Sequence, residues 1–424
     1  MDPILYSAYV DILKEELVPA MGCTEPIAVA YAGALARKTL GDIPETIELI
    51  VSGNIIKNVK SVIVPHTGGR KGLRTAVAAG VCCGDADSEL EVLAGVTPVQ
   101  LDSLEEYLNS VTIIIQESDA HCPFDLQVKV KKGDDSAYVH IIGHHTNVVT
   151  IRKNDISLLE RPYKDEVVQI PENRKLLTVE DIVAFANEVR VEDVREVLQR
   201  QIDYNTAIAE AGLQEHYGAS IGKILLQSGG NSVQNRAKAL AAAGSDARMN
   251  GCELPVVINS GSGNQGMTAS LPVIVYAKEI GVSEEMLFRA LVLSNLVTIH
   301  LKTGIGSLSA YCGATSAGAG AGAGVCYLYG GGYKEVAHTI VNTLAINSGM
   351  ICDGAKSSCA AKIASAVEAG LLGMQMYMHD SQFYSGDGIV IKGVENTIRA
   401  VSEIAREGMR DTDKKIIHIM MEDN

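Results

Sequence analysis

The chain has 424 residues, 47% of them hydrophobic, enough apolar material for two compact cores or for one large core with an insertion, and too much for a disordered protein. Lys and Arg number 36 against 51 Asp and Glu; the net charge of -15 repels a phosphate backbone and no basic cluster interleaved with aromatics offsets it, so nucleic acid is excluded as a partner. The opening MDPILYSAYVDILKEEL carries acids where a signal peptide needs a basic stretch, and no window holds about 18 uninterrupted apolar residues, so the sequence reads as cytoplasmic with no membrane partner.

Residues Ser7 to Val18 read as a first helix. Thr24-Glu25-Pro26 then supplies a cap, an acid and a proline in the order a helix start prefers, predicting a second helix to about Thr39. From Glu45 the pattern changes. ETIELIVSG, VKSVIVP and VTIIIQE are β-rich, and LQVKVKKG with SAYVHIIGHHTNVVTIRK predicts an antiparallel hairpin. Between them GLRTAVAAGVCC, DSELEVLAGV and PVQLDSLEEYLNS read as helices. After the polar linker ERPYKDEVVQIPENRK, nearly everything from Val179 to Glu407 has helical period, including one long helix over REVLQRQIDYNTAIAEAGLQEHYGASIGKILLQ. GATSAGAGAGAGV, from Gly313, alternates Ala with Gly and runs into apolar VCYLY, so it reads as a buried helix and not as a linker, although each glycine costs roughly 1 kcal/mol there. The fold class expected is α+β: a predominantly helical domain, residues 1–40 and 171–424, interrupted by an inserted α/β domain over 41–170.

Nine cysteines without an export signal argue for reduced thiols. Cys82, Cys83, Cys252 and Cys326 lie in apolar stretches and read as buried small hydrophobes. Cys312, Cys352 and Cys359 sit beside glycine or small residues that permit close backbone approach, and three thiolates can hold three irons of a 4Fe-4S cluster with the fourth left open as a Lewis acid. Their spacing matches neither a zinc pair nor a ferredoxin run, and by spacing alone ordinary buried thiols are the simpler reading. Cys23 precedes a predicted helix start, where the dipole and free amides lower a thiol pKa, making it a base or nucleophile as readily as a packing residue. Two glycine-bearing polar loops, Ser52-Gly53-Asn54 with Lys57 and Asn58 beyond, and Asn259 to Gly266 with Ser260, Gly261 and Asn264, offer backbone amides to a carboxylate or phosphate, though neither is a P-loop. His66, and His144 beside His145, are not expected to bind metal, since adjacent strand residues point to opposite faces.

Five blocks carry a resemblance: MGCTEPIAVAYAGALA, VSGNIIKNVKSVIVPHTGG, INSGSGNQGMTASLPVIVYA, LSAYCGATSAGAGAG and SGMICDGAKSSCAAKIASA. Together, and in this order, they resemble the L-cysteine desulfidases of bacteria and archaea, whose helical part is similar to the α chain of iron–sulfur L-serine dehydratases. The resemblance implies a 4Fe-4S cluster on Cys312, Cys352 and Cys359, Cys23 as catalytic proton acceptor, and Ser260 to Gly266 as a polar loop over an amino-acid substrate. Ser52, Gly53, Asn54, Asn58 and Lys302, with Lys356, are further expected near the substrate. Relative to the serine dehydratases, the interval between the last two cluster cysteines is shorter, which favours the desulfidase branch. The tail HIMMEDN has no cysteine to cap the fourth iron. The activity implied is α,β-elimination of L-cysteine to pyruvate, ammonia and sulfide. An L-serine or L-threonine dehydratase, and a non-catalytic iron–sulfur sensor or amino-acid-binding protein, are the alternatives; a homo-oligomer stays open.

Overall fold

The computed structural model describes residues 1–163, 170–306 and 309–422. Asp2 caps the first helix, α1 (Pro3–Glu16), its carboxylate accepting from the Ile4 and Leu5 amides. Tyr9, Ile12 and Leu13 drive α1 into the larger of two main hydrophobic cores. Strand β1 (Pro19–Met21) leads to α2 (Thr24–Leu40), which starts within a residue of the expected signal: Thr24 is its first residue and not its cap, Cys23 takes the cap position without a side-chain bond, and the helix ends at Gly41 in the left-handed region (φ 88°).

The α/β segment follows in chain order: β2 (Thr46–Val51), α3 (Gly53–Val59), α4 (Gly72–Cys83), α5 (Pro98–Ser110), β3 (Thr112–Glu117), β4 (Asp125–Lys132), β5 (Asp135–Ile142), β6 (Val148–Lys153) and β7 (Ile156–Glu160). The strands form one sheet in the order β3-β2-β4-β5-β6-β7; β2 and β3 run parallel and every other neighbouring pair is antiparallel. The expected hairpin is the β4–β5 ladder, in register from Asp125 opposite Ile142 to Lys132 opposite Asp135. Alternation along β2 turns Ile47, Leu49 and Val51 inward, where α2 and α4 cover them. Those two helices touch backbone to backbone: a Cβ on Gly33 would stand 2.7 Å from the Val77 carbonyl oxygen.

Three expectations fail here for identifiable reasons. Helix α2 was expected with the helical domain, yet it lies in the α/β core with the sheet and α4. Ile27 to Ala36 are buried almost all round, so periodicity carried no information about which core would take it. VKSVIVP is not a strand: α3 ends at Val59, and only Ile63 makes a single bridge, to Lys71, because burial of Ile55, Ile56 and Val59 in a helix overrides their β preference. DSELEVLAGV holds a short 3-10 turn, Ala86–Glu91, set by the Asp85 carboxylate accepting from the Asp87 amide and broken at Glu89 (φ 45°).

Part of the linker between the two segments, residues 164–169, lies outside the described residues. The helical body comprises α6 (Val179–Glu188), α7 (Val191–Gln214), α8 (Ile221–Gly229), α9 (Val233–Met249), a short strand β8 (Pro255–Val257), α10 (Gly263–Ile280), α11 (Glu284–Ile305), α12 (Gly313–Leu328), α13 (Tyr333–Asn347), α14 (Cys359–Met378), α15 (Val394–Glu403) and α16 (Arg410–Glu422). The long helix expected from Arg195 breaks at Glu215–Ser220, where Gly218 and Ser220 adopt positive φ, and α8 folds back on α9. Strand β8 pairs antiparallel with β1, tying the start of the chain to this body. The glycine–alanine segment is α12, buried from Ala314 to Leu328 at the centre of the body. Cβ atoms on Gly318 and Gly322 would fall against the carbonyls of Ala366 and Gly370 of α14, so these two helices pack without intervening side chains. No helix among the described residues is long and apolar enough to cross a membrane.

Candidate active site

The contacts between α12 and α14 advance together along both helices, Gly318 meeting Ala366 and Gly322 meeting Gly370, so the two run side by side with their N-termini at the same end. Cys312 is the residue before α12 and Cys359 the first residue of α14. A short antiparallel bridge brings up the third thiol: Tyr311 pairs with Ile351, the Cys312 amide donates to the Met350 carbonyl at 3.0 Å, and the Cys352 amide to the Ala310 carbonyl. Gly354 (φ 93°) turns the chain beside Lys57, and a Cβ there would overlap the Lys57 backbone.

These elements enclose a cavity of about 150 Å³. Cys312, Cys352 and Cys359 line it, and so does Cys23, together with Asn58, Ser260, Gly261, Asn264 and Lys302 of the residues expected from sequence. Ser52, Gly53 and Asn54 are not on its wall. Ser52 is buried with its hydroxyl donating to the Pro123 carbonyl at 2.7 Å, and Gly53 faces Ile417 and Glu117. They belong to the first turn of α3, and Asn58, about 6 Å further along the axis, is what reaches the cavity. Lys356 is held by Asp353 at 2.5 Å and does not line the cavity either.

Sequence reasoning passed over several wall residues. Lys57 and Arg248 are buried cations, Lys362 is a half-buried one, and Glu25 supplies a carboxylate. Glu25 stood in plain view as an acid of the helix start, and Arg248 as the lone arginine ending an alanine-rich helix, but neither pattern says what it faces. Lys57 donates to Asp413 of α16 at 2.5 Å, so the C-terminal helix secures the cavity from behind.

Electrostatics separate the thiols. Cys352 is lowered to about 5, first by hydrogen bonding with Cys312 and then by Lys57, the Gly354 amide and Lys302, against the cost of burial. Cys312 is pushed up as the proton-holding partner, and burial raises Cys359. Burial lowers Lys302 to about 8. Cys23 departs from expectation: desolvation first, and the neighbouring Glu25 carboxylate next, push it well above the usual thiol range, outweighing its place before α2. Its Sγ donates to Glu25 Oε2 at 3.1 Å, and Asn58 Nδ2 donates to Glu25 Oε1 at 3.1 Å.

A second cavity of about 750 Å³ adjoins the first and shares Glu25, Ser260 and Gly261 with it. Phe124, Leu90, Tyr204, His144 and His145 are among its walls. His66 instead pairs with Glu253 at 3.0 Å. Of the four cysteines read as packing residues, Cys252 and Cys326 are buried, and Cys82 and Cys83 are half-buried.

No three His, Cys, Asp or Glu side chains among the described residues converge tightly enough for a single metal ion. A cubane makes a different demand, one thiolate on each of three irons. For that the donor set fits: three thiols face one cavity, Lys57 and Lys302 provide countercharge, and the buried Gln265 Oε1 and Tyr311 hydroxyl have no hydrogen-bond partner.

The α+β fold thus gathers thiols and cations around one small cavity. The chain belongs to the serine dehydratase alpha chain family, whose model matches residues 87–418, and this points to an enzyme of the lyase kind. Relatives are UPF0597 proteins: that of Desulfitobacterium hafniense is 55% identical over 98% of this chain and 97% of its own length. Those of Lachnoclostridium phytofermentans and Treponema denticola are 49% and 46% identical, covering 98% and 100% of this chain and 100% of their own lengths.

Proposed function

We propose that the protein is a 4Fe-4S-dependent lyase that converts L-cysteine and water to pyruvate, ammonia and sulfide. The observation carrying this reading is that Cys312, Cys352, Cys359 and Cys23, scattered through the sequence, share one small cavity. Cys312, Cys352 and Cys359 would hold the cluster, which when bound supplies a Lewis-acidic iron to a substrate whose α-proton is otherwise hard to remove. Cys23 is the proton acceptor. It rests as a thiol donating to Glu25 Oε2; once its proton is lost to solvent, the thiolate takes the α-proton, with Glu25 remaining a carboxylate. Loss of the β-sulfur leaves aminoacrylate, which tautomerises and hydrolyses. Enclosure by both segments of the fold keeps bulk water from the carbanion-like transition state. In this reading the helical domain expected over residues 1–40 and 171–424 and the 41–170 insertion would act as one catalytic unit, although α2 packs with the insertion.

The family description favours a second reading, L-serine with water as the leaving group. Protein purified without oxygen is assayed for iron, acid-labile sulfide, and release of sulfide and pyruvate from each amino acid; sulfide from L-cysteine in excess of pyruvate from L-serine supports the desulfidase. Cys23→Ala is expected to keep the brown chromophore and lose turnover, and Cys352→Ala to lose both. Full activity in anaerobic Cys23→Ala removes the base assignment.

A further inference from the structure

The charges around the reaction cavity are unevenly partnered. Its wall carries the cations Lys57, Arg248, Lys302 and Lys362, and one carboxylate, Glu25. Lys57 is taken up by Asp413, and Lys362 by Asp353 and the Ile351 carbonyl. Arg248 differs. It is 6% exposed, its Nε is buried with no hydrogen-bond partner, and one Nη only reaches Asn264 Oδ1 at 3.4 Å. A buried guanidinium left so poorly satisfied costs free energy, which a planar anion with two oxygens would recover. Gly263 leaves room for it: a Cβ there would stand 2.5 Å from Nε.

Glu25 is fixed by Asn58 on Oε1 and by Cys23 and Thr24 on Oε2. Carboxylate oxygens have about four lone-pair sites, so one more donor can be accepted. Glu25 and Arg248 are also the two charged groups whose fields act on the Cys23 sulfur, in opposite senses. A fixed anion and a buried cation thus share one cavity with the thiol. In an α-amino acid the α-carbon lies between a cation and an anion.

We propose that Glu25 and Arg248 form a clamp that reads both charges of a free α-amino acid, Glu25 taking the ammonium and Arg248 the carboxylate, so that the Cα–H is presented to Cys23. This rests on the reading of Cys23 as proton acceptor. It makes both residues specificity determinants: desamino acids lose the Glu25 contact, decarboxylated amines lose the Arg248 contact, and peptides lose one or the other.

The test is equilibrium binding to anaerobic, cluster-loaded Cys23→Ala protein, whose base is absent. The probes are L-cysteine, 3-mercaptopropionate, which lacks the ammonium, and cysteamine, which lacks the carboxylate. Each analogue is expected to bind at least about tenfold more weakly than L-cysteine, the scale of a lost charge-assisted hydrogen bond. Adding Glu25→Gln should erase the difference between L-cysteine and 3-mercaptopropionate only; adding Arg248→Met should erase that between L-cysteine and cysteamine only. Arg248→Lys keeps the charge without the planar fork and is expected to fall between, and it reads the same contact should the methionine variant lose its iron. Equal weakening of all three probes by either substitution, or three equal affinities in the parent, overturns the clamp. The clamp pattern without turnover in the wild-type enzyme would instead remove the lyase reading and leave the clamp standing. Turnover with an unchanged KM in Glu25→Gln would do the reverse.

Discussion

Replacing Gly322 by alanine tests whether the spacing of two helices sets the spacing of the thiols at their ends. An alanine Cβ there would stand 2.7 Å from the Gly370 carbonyl carbon and 2.9 Å from its Cα. Carbon atoms pack at about 3.5–4.0 Å, so α12 and α14 must part by about 1 Å, and backbone atoms cannot rotate away as a flexible side chain could. Overpacking of this kind costs about 1–3 kcal/mol, while alanine returns roughly 1 kcal/mol of helix propensity, so a net loss of up to about 2 kcal/mol is expected. The same displacement separates Cys312 from Cys359, the residues at the heads of these helices. Two measurements follow on one preparation: urea unfolding of the anaerobic apoprotein, and iron per chain after reconstitution. Gly95→Ala is the control, since a Cβ there meets nothing within 4 Å; it should leave the iron content unchanged and the stability equal or slightly raised. A Gly322→Ala protein with parental stability and a full complement of iron would refute the reasoning.

Asp413→Ala strands Lys57, which is 1% exposed, and should cost about 3 kcal/mol, with faster hydrogen exchange in α16 and lower iron content; alanine at the exposed Asp411 should do neither, and equal exchange in the two variants would dismiss the buttress role of α16. Burial raises Asp246 from its ordinary 3.8 to about 6 against hydrogen bonds from the Gly222 and Ile221 amides. A raised folded-state pKa favours the native state fully below about pH 3.8, and that contribution is lost as pH climbs through about 6, so the melting temperature of Asp246→Asn relative to the parent should rise between pH 4.5 and 7.5. Parallel pH profiles would show that Asp246 does not titrate in this window.

Local signals in the sequence determined a good deal. The acid and proline of Thr24-Glu25-Pro26 placed the start of α2 to within a residue, period-two alternation placed β2 and the β4–β5 ladder, and the unbroken run of small residues from Gly313 marked a buried helix, because these cues act within a few residues of where they are written. Spacing alone did not make the cysteine trio a site, since it resembles no familiar run; the family resemblance did. Only the tertiary structure decided which core α2 would enter: a helix apolar all round offers no face by which to choose. It also decided that Asn58 and not Asn54 reaches the cavity, that burial raises the Cys23 thiol where its helix start suggested the reverse, and that Arg248 and Glu25 share its cavity. Burial and electric field at a side chain are set by groups brought in from distant parts of the chain, and a linear pattern does not carry them.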